Sequence, residues 1–481
     1  MPLILPGNVG SATAATGFNV ANSLRLDSAS TAYLSKTVNL TQNSTSQHKF
    51  TISCWFKLGK TGQTNGELFG AHGSNDYFTV RVQNGNKIDI LSYDNAIKGR
   101  LVTTQVLRDH SAWYHIVAAC NSSDGSGTNR MRLYLNGSEV TDFSTDTNPS
   151  SGTDLIAENM DSFNIGRSVD QVGGAGLFDG YIAEFVYIDN DQLEADSFGE
   201  FDEDTNIWKP KDVSGISGLS NTFSFYLDFE DSSALGNDVS GNNNDFSVNN
   251  LTALDQSIDT CTNNFCTLNP LSADEMTFSN GNLDVDQASS GPRSDDNARG
   301  TIGVNSGKWY WETKLTGATA PCVVGICFDE LKMGSDLSGS TGVYAIQNAS
   351  ATYAYRRENG TSAETSGFPN PVANNIMNVA FDADNGKLYL GINGTYYNQA
   401  GATGNPATGS NATFSSIDTS FFWLPWIESR GDNQQALMNF GSGTSYSISS
   451  GNADGEGYGN FEYSVPSGYY SLCTKNLAEY G

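Results

Sequence analysis

Short runs of alternating apolar and polar residues, broken by Gly, Asn, Asp and Ser, recur from one end of the chain to the other, and helical periodicity is almost absent. Period-two alternation puts successive side chains on opposite faces of a pleated strand, so the pattern predicts antiparallel sheets. In the first half the predicted strands are SLRLD (23–27), KFTISCWFKL (49–58), GELFGA (66–71), YFTVRVQNG (77–85), KIDILSYD (87–94), WYHIVAAC (113–120), RMRLYLNGSEV (130–140), FNIGRS (163–168) and FDGYIAEFVYID (178–189). In the second half they are GKWYWETKL (307–315), CVVGICFD (322–329), GVYAIQ (342–347), TYAYRRENG (352–360), NVAFDADNGKLYLGINGTYY (378–397) and FFWLPWIE (421–428). Each set has the spacing of a sandwich of two packed sheets. Asn136-Gly137 and Asn393-Gly394 stand in equivalent places of the two halves, where Asn-Gly favours a tight turn with both residues at positive φ.

The fold class is therefore all-β: two antiparallel β-sandwich domains, at 21–200 and 266–481, joined by an ordered Gly/Asn/Asp-rich connector at 201–265. Residues 1–20 read as a docking segment, because Pro2 and Pro6 interrupt any ladder and Leu3, Ile4 and Leu5 would bury against a partner. The six tryptophans Trp55, Trp113, Trp309, Trp311, Trp423 and Trp426 sit in strand patterns and are expected in the cores.

Charge narrows the function. Lys and Arg total 25 against 53 Asp and Glu, a formal net charge of −28, so a phosphate backbone or anionic bilayer is repelled. Neither nucleic-acid binding nor membrane insertion is expected. The N-terminus lacks the basic and apolar regions of a secretory signal. Seven cysteines read as buried free thiols, with the pairing of Cys261 and Cys266 left open.

With those residues in view, 21–190 resembles a laminin-G-like, concanavalin-A-like jelly roll through SLRLDSASTAYLS, FTISCWFKL, WYHIVAAC, RLYLNGSEV, FNIGRS and FDGYIAEFVYID. Residues 300–470 resemble a SPRY-type sandwich through GKWYWETKL, VVGICFD, NVAFDADNGKLYLGING and FFWLPWI. The joint arrangement, with MPLILPGNVGSAT, DVSGNNNDFSVNN and NNFCTLNPLS, is similar to structural proteins of marine tailed phages. The resemblance implies a non-enzymatic fibre, adhesin or capsid decoration protein of a virion, made in the host cytoplasm and displaying its sandwiches toward a host-surface polysaccharide. Its partners would be other virion proteins and, by the same analogy, further copies of itself in an oligomer such as a trimer. A secreted or cell-surface glycan-binding protein is the second reading, and a glycan-cleaving jelly-roll enzyme the third.

The residues that could carry catalysis are missing from the motifs that would hold them. A retaining glucanase strand needs ExDxxE; after Glu200-Phe201-Asp202 the third acidic position is Thr205. No GxSxG elbow occurs, and GVNSGKW (303–309) has Trp309 where a phosphate loop needs Ser or Thr. Two binding clusters remain. Asp238, Asn242, Asn244 and Asp245 offer oxygen donors for calcium, or else cap their own turns. Tyr353, Tyr355, Arg356 and Arg357 offer stacking area and positive charge to an anionic glycan, or else line a strand and pair with nearby carboxylates.

Overall fold

A computed structural model describes residues 3–5, 17–38, 47–156, 160–168, 176–287, 295–316, 322–334, 337, 339–348, 354–365, 367–430 and 435–481. The chain forms two compact units, one of residues 16–262 and one of residues 263–481 joined by residues 1–15. Both are built from antiparallel sheets; among the described residues the one α-helix is Thr474–Tyr480, and no helix is long and apolar enough to cross a membrane.

In the first unit one sheet runs Ser138–Glu139, Met131–Leu135, Trp113–Asn121, Lys49–Leu58, Gly180–Asp189, Ser23–Leu26, Gln256–Ser257, with Phe225–Leu227 also on Gly180–Asp189. The other runs Phe143–Thr147, Ile97–Thr103, Lys87–Asp94, Asp76–Gln83, Gly66–His72, Ser162–Ile165, Tyr33–Thr37, Ser247–Asn249. Alternation decides what lies between them. Ile52, Cys54 and Phe56 point inward with Phe78, Val80, Ile116, Phe163 and Tyr187, and Phe50 meets Phe78 edge-on at 4.9 Å.

The outward residues of the first sheet are also covered. Val117, Ala119, Val186 and Ile188 pack beneath Ala195, Phe198, Val213 and Leu219. Lys57 reaches Asp259 at 2.8 Å with both side chains buried, and Trp113 Nε1 donates to the other Asp259 oxygen at 3.1 Å. Segment 201–265 is thus not the connector the sequence suggests. Phe225, Leu227 and Phe246 are core residues of the first sandwich, with Phe225 and Phe246 4.8 Å apart, and three short strands of this segment extend its sheets.

The second unit pairs Leu268–Asp274, Asp295–Gly300, Trp423–Arg430, Cys322–Phe328, Val343–Asn348, Ala354–Glu358 and Thr361–Thr365 in one sheet. The other holds Met276–Ser279, Asp284–Gln287, Gln435–Asn439, Lys308–Leu315, Ile376–Asp382, Lys387–Ile392, Thr395–Tyr397 and Thr403–Gly404, with Tyr470–Ser471 parallel to Lys308–Leu315. Trp309, Trp311, Phe381, Leu388, Trp423 and Ile427 fill the space between them. Asn136-Gly137 and Asn393-Gly394 both have positive φ at each residue, as their turns require.

The N-terminal segment differs from expectation. Ile4 forms a parallel bridge with Ile302 of its own chain, donating to Thr301 O at 2.9 Å and accepting from Gly303 N at 3.0 Å, and it packs on the second core. An extended segment needs partners for its backbone groups, and here residues 301–303 of the same chain, just past the strand Asp295–Gly300, supply them. Residues 17–20 instead belong to the first unit, where Val20 packs against Trp55 and Ala183. Cys261 and Cys266 fall in different units, and all seven thiols are free.

Candidate functional site

Of the predicted Tyr/Arg cluster, Tyr353 lies outside the described residues. Tyr355, Arg356 and Arg357 are on the strand Ala354–Glu358, so alternation sends the two arginines to opposite faces. Arg357 is buried and donates to Gln347 Oε1 and Ser362 Oγ, with its guanidinium 5.4 Å from the Tyr355 ring centre. Arg356 pairs with Glu358 at 3.0 Å and donates to Gln399. The expected joint positive spot is not assembled, because the two guanidiniums lie on opposite faces and each is engaged by other side chains.

The four predicted calcium ligands do come together, as a network of turns. Asp238 Oδ1 accepts from Tyr226 N and Ser240 N, and Oδ2 from Asn244 N and Ser240 Oγ, at 2.8–3.0 Å. Asp245 Oδ1 accepts from Asp238 N. The Asn242 amide donates to the carbonyls of Leu219, Asn221 and Ser224, and that of Asn244 to those of Thr222 and Ser224. Amide N–H groups surround the carboxylate where a cation would need oxygens. Among the described residues no group of three or more His, Cys, Asp or Glu side chains could hold a metal ion.

A richer constellation lies on the outward face of the second sheet of the first unit. A bulge between Glu67 and Phe69 sends both Leu68 and Phe69 into the core, leaving Glu67, Gly70 and His72 facing out. His72 Nε2 and Glu67 Oε1 are 2.8 Å apart, and the bond crosses directly above Gly70, where a Cβ would stand 1.5 Å from Glu67 Oε1 and 2.1 Å from His72 Nε2. Only glycine leaves that path open. Burial pushes the Glu67 carboxyl up, against the opposing pull of His72, Ser168 and Arg81.

Pairing aligns this face into rows: His72 beside Tyr77 beside Tyr93, Gly70 beside Thr79 beside Leu91, and Glu67 beside Arg81 beside Asp89. Tyr77 and Tyr93 stack with ring centres 5.0 Å apart and planes 9° from parallel. Asp89, fully buried, is held by Arg81 and Arg100, each bonding it through two nitrogens at 2.9–3.1 Å. Asn164 lies across from Gly70 on the next strand. Tyr93 and Arg100 are half-buried and Ile97 is exposed, so the face opens at its Lys87–Thr103 side. Glu67, His72, Tyr77, Arg81, Asp89 and Asn164 are themselves buried, so a hydroxyl-rich ligand would meet this face at Tyr93 and Arg100, with the buried groups holding those two in place.

A second group, Ser53, His115 and Glu184, faces outward from the first sheet. Trp208 Nε1 donates to His115 Nδ1 at 3.0 Å, so a neutral ring carries its proton on Nε2 and donates it to Ser53 Oγ at 2.9 Å. Burial pushes this imidazole down to about 3, which keeps it neutral. A base must accept the serine proton, and this tautomer cannot. Glu184 has φ 48° at a bulge in Gly180–Asp189 and accepts from Tyr226 Oη at 2.5 Å. Burial, then Asp228, Glu230 and Asp212, push its carboxyl up to about 8. The crevice these residues line with Trp55, Phe198 and Val213 is too narrow for a water molecule.

Sequence reasoning found the strands that carry Glu67, His72, Tyr77, Tyr93, Arg81 and Asp89 but not the site. The available signal was charge and aromatic rings alternating with core residues in a chain with few cations. The bulge that brings Glu67 and His72 together leaves no mark in the pattern.

Comparison with known proteins is consistent with this architecture. No curated protein matches the chain. The SPRY domain of human HERC1 is similar at 14% identity and a TM-score of 0.27, over 36% of this chain and 96% of that one. The TRIM65 PSpry domain is similar at 13% identity and a TM-score of 0.26, over 36% of this chain and 89% of that one. Structural likeness at those scores carries no argument about either unit. The model of the concanavalin A-like lectin/glucanases superfamily, Laminin_G_3, matches residues 30–196. This stretch, which supplies twelve of the sixteen strands described in the two sheets of the first sandwich, has a concanavalin A-like fold.

Proposed function

We propose that the protein is a non-enzymatic, glycan-binding structural protein of a phage virion, and that the Tyr93 and Arg100 edge of the face built around Gly70 is where the first unit meets saccharide. The observation that carries the reading is the Glu67–His72 bond laid across a glycine, beside the Tyr77–Tyr93 stack and the Arg81–Asp89–Arg100 clamp, on a concanavalin A-like sandwich. A binding face must hold its polar groups rigid before the ligand arrives, and each of these is fixed by a neighbour. The non-enzymatic part is supported by chemistry. Both oxygens of Asp89 are engaged by guanidiniums, and His115 is a donor to Ser53. The virion part rests on the sequence resemblance to marine tailed-phage proteins.

The saccharide reading is tested by a glycan-array comparison of the full chain with its Gly70→Ala and Tyr93→Ala variants. Expected is selective binding that Tyr93→Ala weakens at least tenfold while near-ultraviolet circular dichroism is unchanged. Equal binding by the variants would remove this face. Mass spectrometry of purified particles tests the virion assignment separately, and absence from the particle would sink it.

A further inference from the structure

The second unit carries a cluster that neither the glycan reading nor the core accounts for. Lys308, Asp382 and Lys387 are direct neighbours across three adjacent strands, Lys308–Leu315, Ile376–Asp382 and Lys387–Ile392. The next row on the same outward face is Tyr310, Ala380 and Tyr389, with Tyr469 packed over it. Lys308 Nζ is 3.3 Å from Asp382 Oδ2 and 5.9 Å from the Tyr469 ring centre. Lys387 Nζ donates to Gly409 O at 2.8 Å. A Cβ on Gly409, whose φ is 72°, would stand 3.5 Å from Lys387 Nζ and 3.9 Å from Tyr389 Oη, so the glycine leaves space in front of both groups.

The hydrogen-bonding capacity here is one-sided. Asp382 already accepts from Asn385 N, from Asn385 Nδ2 on both oxygens and from Lys308. Asp384 is turned onto Gly307 N at 2.7 Å. Tyr389 and Tyr469 are at most 1% exposed, and neither hydroxyl has a hydrogen-bond partner among the described residues. Burial and Asp382 push the Tyr389 phenol up to about 12, and burial, with Asp382 next, raises that of Tyr469, so both stay protonated donors at neutral pH. Each ammonium has three N–H bonds, of which one apiece is engaged by the contacts above. Buried hydroxyls without acceptors are costly, and what this cluster lacks is an acceptor.

We propose that Lys308, Lys387, Tyr389 and Tyr469 form a second binding site, for the anionic group of an acidic saccharide. The site takes a carboxylate or a sulfate ester, each of which offers several acceptor oxygens to donors from two strands and from the turn before Tyr470–Ser471. A ligand oxygen entering beside Gly409 receives the Lys387 ammonium and the Tyr389 hydroxyl, while Lys308, across Asp382 on the strand beyond, and Tyr469, packed over Tyr310 and Tyr389, border the site on its other side. Because the protein as a whole carries a charge of −28, long-range attraction contributes nothing and the interaction is short-ranged. It does not depend on the reading of the Gly70 face.

The test titrates the full chain with a sulfated oligosaccharide, a uronic-acid oligosaccharide and a neutral one, at ionic strength held constant with chloride. Wild-type protein is compared with Lys387→Met/Tyr389→Phe, with Lys308→Met as a second variant should the first unfold, and with Gly70→Ala in the first unit. Expected is saturable binding of one or both anionic ligands that weakens at least tenfold in the second-unit variants, with Gly70→Ala reporting whatever share of binding the first unit takes. The sulfated and uronic arms tell which anion the site takes. Failure of both anionic arms to bind above chloride, or binding that survives the lysine and tyrosine substitutions, would overturn the proposal. Binding lost in Gly70→Ala alone would move the ligand to the first unit.

Discussion

Replacing Glu184 by Gln should make the first unit more stable, and by an amount that grows with pH. The carboxyl sits 6% exposed at the bulge in Gly180–Asp189, and burial raises it from an ordinary 4.5 to about 8. An acid whose folded value is raised imposes no penalty below its unfolded value. The penalty then builds as pH climbs from about 4.5 through about 8 and levels off above. At pH 7 the unfolded chain gains some 2.5 pH units' worth of ionisation that the folded chain forgoes, roughly 3 kcal/mol at 1.36 kcal/mol per unit. Relaxation around a bulged strand will reduce this, so about 1–3 kcal/mol is the working range. Gln keeps the Oε acceptor for Tyr226 Oη, and the positive φ is shared by both residues, so neither effect confounds the comparison. Equilibrium urea unfolding of the two proteins at pH 4.5, 6, 7 and 8.5 measures the difference directly. The expected result is near equality at pH 4.5 and a widening advantage for Glu184→Gln to pH 8.5. A difference that stayed flat with pH, or that favoured Glu at high pH, would show that the carboxyl is ionised in the fold and refute the reasoning.

Other substitutions probe the architecture. Phe225→Ala should cost about 3–5 kcal/mol in the first unit, since the ring is fully buried among Phe185, Tyr187 and Phe246; a loss below about 1 kcal/mol in urea unfolding would return segment 201–265 to the role of connector. Lys57→Met leaves the buried Asp259 with the Trp113 indole but without its cation, so about 3–5 kcal/mol should be lost, and adding Asp259→Leu should recover most of it by removing the stranded charge. Asp238→Ala removes four accepted hydrogen bonds and should lower the melting temperature equally in calcium and in chelator; a loss seen only in calcium would reinstate the cluster as a metal site.

What the sequence determined by itself is local. The alternation in KFTISCWFKL and KIDILSYD marks strands whose ends match Lys49–Leu58 and Lys87–Asp94, because a strand's two faces are written directly into successive residues. The turns at Asn136-Gly137 and Asn393-Gly394 followed from two residues that tolerate positive φ, and burial of Trp55, Trp309, Trp311, Trp423 and Trp426 followed from their place in those strands. The opposite faces of Arg356 and Arg357 were also legible in that alternation, although their separate partners were not. Tertiary structure decided the rest. Phe225–Leu227 is too short to announce a strand, and only its pairing with Phe185–Tyr187 makes it part of the first sandwich. Ile4 gains its place from the backbone of Thr301 and Gly303, some three hundred residues away. Glu67 meets His72 because a bulge resets the register by one residue, and Tyr77 meets Tyr93 because a neighbouring strand presents it there. A sequence pattern records which face a residue occupies; which other residues share that face depends on pairing and register, and those are set by contacts between distant parts of the chain.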